Sequence, residues 1–300
     1  MRSIGRHMPA PESEFETTAE LVAQLVREQH PRMSGDVELV GRGWDCDLYR
    51  LGADRAVRLP RRSGGVTSLL NEQRWLPTVA AELPIPIPVP LAVGRAGAGY
   101  PWGWSIIPWF EGIPADMVSA ASRDFAAARL GEVVAALHSP APADAPTSSY
   151  RGVPLGDRDS IVRRALSRLA EAEPALRIWD AAVDAPPNPV SSWTHGDLHP
   201  GNVLLHGDGQ DGRLAAMIDF GDMSGGDPAV DLAAAWLFFS PEGRKRFRAA
   251  AGRRRYDPHA WTRARGWAVD ISIGLMTESD GSERMTSLGR SGLLAVLSDS

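Results

Sequence analysis

The sequence feature that most limits the fold is HGDLHPGNVLL at residues 195–205, where a loop rich in glycine and proline runs into an apolar strand. Glycine and proline both disfavour a helix, so the polar half of this stretch is predicted to be an irregular loop. Residues 203–206 and 214–218 are mostly apolar, and the sequence GDGQDG between them is typical of a turn. The sequence therefore predicts a polar loop that leads into a β-hairpin.

Three side chains with oxygen atoms lie on this loop and at the ends of the hairpin. If the hairpin is centred near residue 210, Asn202 lies roughly opposite Ile218 and is expected to meet Asp219 at one end. Asp197 lies on the loop that precedes the first strand. Carboxylate and amide oxygens are hard ligands suited to Mg²⁺, which binds a few protein oxygens together with phosphate oxygens and water. We therefore predict a magnesium and phosphate site at Asp197, Asn202 and Asp219.

The pattern of apolar residues predicts a small α/β lobe followed by a larger helical lobe, with a cleft between them. The first lobe is predicted to begin with a helix that runs from a capping box at Ser13 and Glu16 to about His30. Strands are predicted at 37–40, 47–51 and 55–59, followed by a helix at 67–81. The alternating prolines at 84–90 predict an extended edge segment, and residues 103–112 predict a buried strand that breaks at Pro108. The helices predicted in the second lobe are 123–138, 159–172, 228–239, 241–251, 258–276 and 284–297.

The composition is that of an ordinary globular protein, with 43% hydrophobic and 23% charged residues and a formal net charge of −5. This mildly acidic balance argues against nucleic acid as a partner.

Cys46 is the only cysteine, so no intrachain disulfide can form, and we expect a cytoplasmic protein. The N-terminus lacks an apolar signal core and no apolar run is long enough to span a bilayer, so no membrane contact is expected. Residues 1–7 are interpreted as a leader, with Met8 as an alternative start.

The motifs HGDLHPGN, IDFGD and GDPAVDLA, in this order, resemble those of the aminoglycoside phosphotransferase family, which is related to the protein kinases. The resemblance implies that Asp197 is the catalytic base and that Asn202 and Asp219 bind Mg²⁺. It also places His195 at the position of the catalytic-loop histidine. His199 is interpreted, apart from the resemblance, as a hydrogen-bonded scaffold residue of the loop.

The resemblance extends less tightly into the first lobe, where RAVRLPRR is similar to the strand that carries the phosphate-binding cation. Arg58 would replace the usual lysine, and arginine is the only basic residue type in this half because Lys245 is the only lysine. Glu72 would pair with Arg58. Gly41 and Gly43 would form the nucleotide loop. The stretch SIIPWFEG, which contains Ile107 and Trp109, is similar to the linker that meets the adenine.

The resemblance implies an α+β, protein-kinase-like fold, with a nucleotide-binding lobe at 1–108 and a helical lobe with the catalytic loop and acceptor site at 109–300. It implies transfer of the γ-phosphate of ATP or GTP to a hydroxyl of a small molecule, with Mg²⁺ as cofactor and an aminoglycoside or macrolide antibiotic as the default acceptor. A monomer or a homodimer is expected. A polycationic acceptor would need acids on the helical lobe. The candidate acids are Asp222, Asp270, Glu278, Asp280 and Glu283.

Three alternatives remain open from the sequence. The acceptor could be a metabolite such as a sugar or an amino alcohol. His195, Asp197 and His199 could instead bind one transition metal in a hydrolase, although Pro200 and Gly201 interrupt the strand that this requires. The chain could also be a non-catalytic nucleotide-binding relative. In GDPAVDLA, the two aspartates are predicted to cap and anchor the following helix rather than to touch substrate.

Overall fold

The computed structural model describes residues 12–207, 209–252, 256–277 and 282–299, which form two compact units. The N-terminal unit contains the described residues up to Glu111 together with Met217–Gly221. The C-terminal unit contains Gly112–Ala216 and the described residues from Asp222 onward. The predicted leader and the candidate acids Glu278 and Asp280 lie outside the described residues.

The N-terminal unit is built on one antiparallel sheet. Its elements are α1 (Ala19–Gln29), β1 (Val37–Arg42), β2 (Cys46–Leu51), β3 (Arg55–Pro60), α2 (Gly64–Ala80), β4 (Ala92–Gly94) and β5 (Trp104–Pro108). The strand order is β1-β2-β3-β5-β4, and every neighbouring pair is antiparallel. The apolar face of α1 packs with Tyr49, Val57 and Trp104 in the buried core. The predicted small antiparallel sheet with accompanying helices is confirmed.

Two predictions for this unit need correction. The predicted capping box is wrong, because α1 begins at Ala19 and the Thr18 hydroxyl accepts the N–H of Leu21, whereas the Ser13 hydroxyl donates to the Phe15 carbonyl. The proline-rich residues 84–90 belong to no strand, and β4 forms the edge of the sheet instead. Proline lacks the N–H that a ladder needs, so the first residues able to pair fully lie beyond the proline run.

The C-terminal unit is mainly helical. Its helices are α3 (Ala120–Arg123), α4 (Ala127–Leu137), α5 (Asp159–Leu166), α6 (Ala172–Val183), α7 (Ala229–Leu232), α8 (Ala234–Phe238), α9 (Pro241–Ala251), α10 (Ala260–Thr277) and α11 (Glu283–Leu297). The helix α10 is buried along most of its length and packs against α6, α7 and α11, while α4 packs against α9. A helix that is apolar around its whole circumference is typical of the centre of such a unit.

Short strands position the loops of this region. They are β6 (Ile113–Pro114), β7 (Ser192–Thr194), β8 (Val203–Leu205), β9 (Leu214–Met217) and β10 (Ser224–Gly226). The predicted hairpin is confirmed as β8 and β9, and the His206 N–H donates to the Arg213 carbonyl across its turn at 3.1 Å. The pair of β7 and β10 was not predicted, and it brings the start of the predicted catalytic loop beside the segment that follows the hairpin.

Among the residues that the structure describes, no helix is both long and apolar enough to cross a bilayer.

Candidate active site

The loop that begins at His195 is fixed by one buried carboxylate. The backbone N–H of His195 donates to Asp231 Oδ2 at 2.7 Å, and that of Gly196 donates to Oδ1 at 2.9 Å. Asp231 lies on the short helix α7 and also accepts from His138, whose other ring nitrogen contacts the Tyr256 hydroxyl at 2.9 Å. Because buried N–H groups are costly when unpaired, Asp231 holds the loop in one conformation.

Gly196 is required by the backbone of this loop. Its φ is +83°, and a Cβ built there would lie 2.6 Å from the Asp222 carbonyl oxygen. Only glycine adopts this conformation without strain and also permits so close an approach. The glycine therefore lets the chain turn sharply and present the next residue, Asp197.

The Asp197 side chain is held from one side by the end of its own loop. The Asn202 Nδ2 donates to the Asp197 carbonyl at 2.8 Å and to Asp197 Oδ2 at 3.2 Å. His199 Nε2 lies 3.5 Å from the same Oδ2. Asp197 and Asn202, which are five residues apart and were predicted to share one site, are therefore in direct contact.

A cation approaches Asp197 from the other side. Arg151 lies 3.5 Å from Asp197 Oδ1, with its side chain only 13% exposed. Burial by itself would raise the pKa of Asp197, but His199, Arg151 and His195 outweigh it and hold that pKa well below its usual range. Burial likewise disfavours the charge on Arg151, yet Asp197 and Asp270 raise its pKa. Asp197 is therefore a fixed carboxylate beside a fixed cation.

Two of the predicted acceptor acids are bound by residues of the same unit. Asp270 is 3% exposed in α10 and accepts two hydrogen bonds from Arg158, at 3.1 and 3.2 Å, while Arg151 lies 3.6 Å away. The Tyr150 hydroxyl donates to Asp222. Asp270 is thus a buried and paired acid rather than a solvent-exposed one. Glu283 is exposed in the first turn of α11.

The two loop histidines take part in local hydrogen bonds. His195 is fully buried, and its Nδ1 accepts the Asp197 N–H at 3.3 Å. The His199 Nδ1 accepts the Gly201 N–H at 3.0 Å. These contacts favour scaffold roles over the hydrolase alternative. No three His, Cys, Asp or Glu side chains group as metal ligands within the described ranges.

In the N-terminal unit, Arg58 lies between two carboxylates. Its NH2 group is 3.3 Å from Glu72 Oε1 and 3.2 Å from Asp219 Oδ1. Burial opposes the charge on Arg58, but Glu72, Cys46 and Asp219 outweigh it and raise its pKa well above the ordinary value. The antiparallel pairing of β3 with β2 and β5 fixes the Arg58 backbone, and Glu72 reaches it from α2. The predicted Arg58–Glu72 ion pair is therefore present, and Asp219 joins it.

Asp219 has an unusual backbone conformation. Its φ is +61°, in the left-handed region that few residues other than glycine adopt, although aspartate tolerates it better than most. Phe220, which follows, is buried, while the Asp219 side chain is 55% exposed. The turn therefore buries the phenyl ring and leaves the carboxylate accessible beside Arg58. Strain of this kind is common where a side chain is held for function.

The predicted nucleotide loop is the turn between β1 and β2. The Gly43 N–H donates to the Cys46 carbonyl at 2.8 Å, and a Cβ at Gly43 would lie 2.9 Å from that oxygen. A Cβ at Gly41 meets no heavy atom of the described chain within 4 Å. Burial raises the pKa of the Cys46 thiol to about 11, so it stays protonated at neutral pH.

The predicted linker begins within β5 and continues beyond it. Ile107 pairs with Ala56 of β3, and the Trp109 N–H donates to the Asp54 carbonyl at 2.9 Å. The Arg50 guanidinium lies 4.1 Å from the centroid of the Trp109 ring. The Trp109 ring therefore stacks against a cation of its own unit.

Several residues of the site were not predicted from the sequence. Tyr150, Arg151 and Arg158 lie in a stretch that reads only as a loop rich in proline, alanine and serine. The sequence contained one indication that such an arginine was needed. Asp270 lies in the apolar run GWAVDISIGL, and a buried acid at such a place needs a cationic partner. The sequence did not indicate which arginine would supply it.

These elements match a known protein family. The profile of the phosphotransferase enzyme family, APH, matches residues 36–267, which is most of the chain. The chain therefore belongs to this family, and the predicted membership is confirmed. A comparison with curated proteins found no match.

Solved structures of antibiotic phosphotransferases have the same fold. The GDP complex of wild-type aminoglycoside 2'-phosphotransferase-IIIa is 18% identical, with a TM-score of 0.67 over 94% of this chain and 99% of that one. A complex of APH(2")-IIia with GDP and kanamycin is also 18% identical, with a TM-score of 0.68 over 92% and 97%. The macrolide 2'-phosphotransferase MphH from Brachybacterium faecium is 21% identical, with a TM-score of 0.61 over 91% and 98%. The predicted protein-kinase-like fold is confirmed.

The family implies Mg²⁺, and the residues present fit this ion. The Asn202 Nδ2 donates to Asp197, which leaves the Asn202 Oδ1 as the ligand atom of the amide. Asp219 offers a half-exposed carboxylate. Each is a hard oxygen donor of the kind that Mg²⁺ prefers.

Proposed function

We propose that this protein transfers the γ-phosphoryl group of ATP or GTP to a hydroxyl of a small molecule, and that the acceptor is an antibiotic. The observation that carries the proposal is the catalytic loop. Asp231 fixes its backbone, and Asn202 and Arg151 hold the two oxygens of Asp197. A single carboxylate held this firmly suits a reaction that depends on positioning.

Asp197 orients the acceptor hydroxyl and accepts its proton. Because the neighbouring cations keep the pKa of Asp197 low, it is a weak base toward an alcohol until the bond to phosphorus has nearly formed. The transition state of phosphoryl transfer is loose, so a late proton transfer is sufficient. The main contribution of Asp197 is therefore the alignment of the hydroxyl.

Charge on the phosphates is balanced by the other candidate residues. Arg58, held by Glu72, binds the α- and β-phosphates, since arginine stays charged and presents several donors. Asn202 and Asp219 would each offer an oxygen to Mg²⁺, which would neutralise the charge that develops on the phosphates. The loop with Gly41 and Gly43 covers the phosphates, and the linker from Ile107 to Trp109 receives the base.

Relatives of known structure support the choice of ligands. Their complexes contain GDP or ADP, and one contains kanamycin with GDP. Other relatives are macrolide 2'-phosphotransferases. ATP and GTP are therefore both candidate donors, and aminoglycosides and macrolides are both candidate acceptors.

An acceptor screen tests this function. The purified chain is incubated with ATP or GTP and Mg²⁺ across panels of aminoglycosides, macrolides, sugars and amino alcohols, and release of ADP or GDP is measured. We expect release that depends on an antibiotic and stops when EDTA removes the metal. Release that depends only on a sugar or amino alcohol would indicate a metabolic kinase. Nucleotide binding without release for any acceptor would indicate a non-catalytic relative.

A further inference from the structure

Two of the acids predicted to bind a polycationic acceptor already have partners within the C-terminal unit. Aminoglycosides carry several amines that are charged at neutral pH, so their sites need carboxylates with uncompensated charge. Of the predicted acceptor acids, Asp222 accepts from the Tyr150 hydroxyl, and Asp270 is bound by Arg151 and Arg158. Residues 150, 151 and 158 of the chain itself therefore already contact these two carboxylates.

The contacts of Asp270 are buried and resist displacement. Arg158 donates to both Asp270 oxygens, at 3.1 and 3.2 Å, and the side chains of Arg151 and Arg158 are each 13% exposed. A substrate amine that replaced either guanidinium would leave a buried charge without its partner, which is strongly unfavourable. Asp270 is therefore a permanent counter-ion of these arginines.

Other carboxylates of the same unit are also compensated. Asp227 and Asp257 both pair with Arg263, at 2.5 and 2.6 Å. Asp116 pairs with Arg284. The acids in the described part of the unit thus bind arginines of the same unit at several independent places.

A cation also lies beside the proposed base. Arg151 is 3.5 Å from Asp197 Oδ1, and its Nε is buried without a hydrogen-bond partner among the described residues. An acceptor hydroxyl must approach Asp197, so amines close to that hydroxyl would meet the charge of Arg151. Repulsion between like charges is strong where water is largely excluded.

We propose that Arg151 is a specificity-determining residue that excludes polycations and selects a hydroxyl acceptor with at most one positive charge. This inference rests on the proposed function, because it concerns the acceptor of the same reaction. A macrolide with a single amine belongs to the selected class, and so does a neutral sugar. Kanamycin belongs to the excluded class.

Direct binding provides the test, since Arg151 also contacts Asp197 and changes in turnover would mix two effects. Kanamycin and a macrolide with one amine, erythromycin, are titrated into the full chain by calorimetry at physiological salt. We expect the wild type to bind kanamycin with a Kd of about 1 mM or weaker. Arg151→Gln should tighten kanamycin binding at least about tenfold and leave erythromycin nearly unchanged.

Two further variants separate local charge from net charge. Arg151→Lys keeps the cation and should behave as the wild type. Arg164→Gln removes the same charge from an exposed arginine of α5 and should not tighten kanamycin binding. If Arg151→Gln does not fold, the wild-type titrations and Arg151→Lys still decide the question.

The proposal is overturned if the wild type binds kanamycin with a Kd of about 10 µM or tighter. It is also overturned if Arg151→Gln and Arg164→Gln have equal effects. If the wild type phosphorylates kanamycin, the phosphotransferase function stands and the role of Arg151 fails. If no acceptor promotes nucleotide consumption, the function fails, while the titrations still measure the charge preference.

Discussion

The two carboxylate oxygens of Asp197 have different partners. Oδ1 faces Arg151 at 3.5 Å, whereas Oδ2 accepts from Asn202 at 3.2 Å and lies near His199. Because His199, Arg151 and His195 lower the pKa of Asp197, the carboxylate stays ionised throughout the neutral range. Its orientation is therefore fixed before any acceptor binds.

The substitution Asp197→Asn keeps the shape of the side chain and removes its charge and basicity. We expect the rate of phosphoryl transfer to fall about 10²–10⁴-fold, the range typical for loss of a general base. Binding of Mg·ATP, measured by calorimetry, should stay near that of the wild type. Asp184→Asn, on an exposed residue after α6, is the matched control and should not change the rate. A rate within a few-fold of the wild type would remove Asp197 from its proposed role.

Arg58 and Glu72 form a buried pair, so structural and functional effects can be separated by a double variant. Arg58→Ala removes the cation beside the buried Glu72 carboxylate and should lower the free energy of unfolding by about 3–5 kcal/mol. Arg58→Met combined with Glu72→Leu should recover most of that stability, because no charge remains buried. Nucleotide affinity should stay low in both variants. Recovery of nucleotide binding in the double variant would contradict the phosphate-binding role of Arg58.

At the scale of elements, short pieces of secondary structure hold the loops, and a few close contacts set their positions. The helix α7 has four residues, yet its Asp231 binds the backbone of the catalytic loop. The helix α6 was not predicted, and it contains Pro174. That proline lies in the first turn of α6, where its missing N–H has no partner to lose. The single helix predicted at 228–239 is divided into α7 and α8.

Replacement of Asp231 tests the link between α7 and the catalytic loop. Asp231→Ala leaves two buried N–H groups unpaired and should cost about 2–5 kcal/mol of unfolding free energy. Hydrogen exchange at His195 and Gly196 should accelerate, and phosphoryl transfer should decrease with it. Asp231→Asn retains one acceptor oxygen. Its unfolding free energy and its exchange rates should lie between those of the wild type and those of Asp231→Ala. Unchanged exchange in Asp231→Ala would show that other contacts fix the loop.

Gly131 tests the packing of α4 on α9. A Cβ at this position would lie 2.6 Å from the Phe247 carbonyl oxygen and 2.9 Å from the Ala250 Cβ. Gly131→Ala should therefore lower the free energy of unfolding in urea by about 1–3 kcal/mol. Gly156→Ala is the matched control, because a Cβ there meets no described heavy atom within 4 Å. Equal stabilities of the two variants would contradict this close packing.

For the whole molecule, the sequence was sufficient to predict the family, the two-lobe fold class and the hairpin that β8 and β9 form. These follow from local signals such as apolar periodicity, turn residues and a motif of fixed spacing. The networks around Asp197 and Asp270 could not be predicted, because Arg151 and Arg158 reach these acids from a loop without a regular pattern. Long-range ion pairs depend on tertiary packing, which a single sequence does not encode in any short stretch.

The central claim is that the phosphoryl group moves from the nucleotide to an acceptor hydroxyl. The most direct measurement uses ATP or GTP labelled with oxygen-18 in the γ-phosphate, followed by mass spectrometry of the acceptor and of free phosphate. The expected result is an acceptor that carries the labelled phosphoryl group, with ADP or GDP formed in equal amount. Label found only in free phosphate, with every acceptor unmodified, would contradict the proposed function.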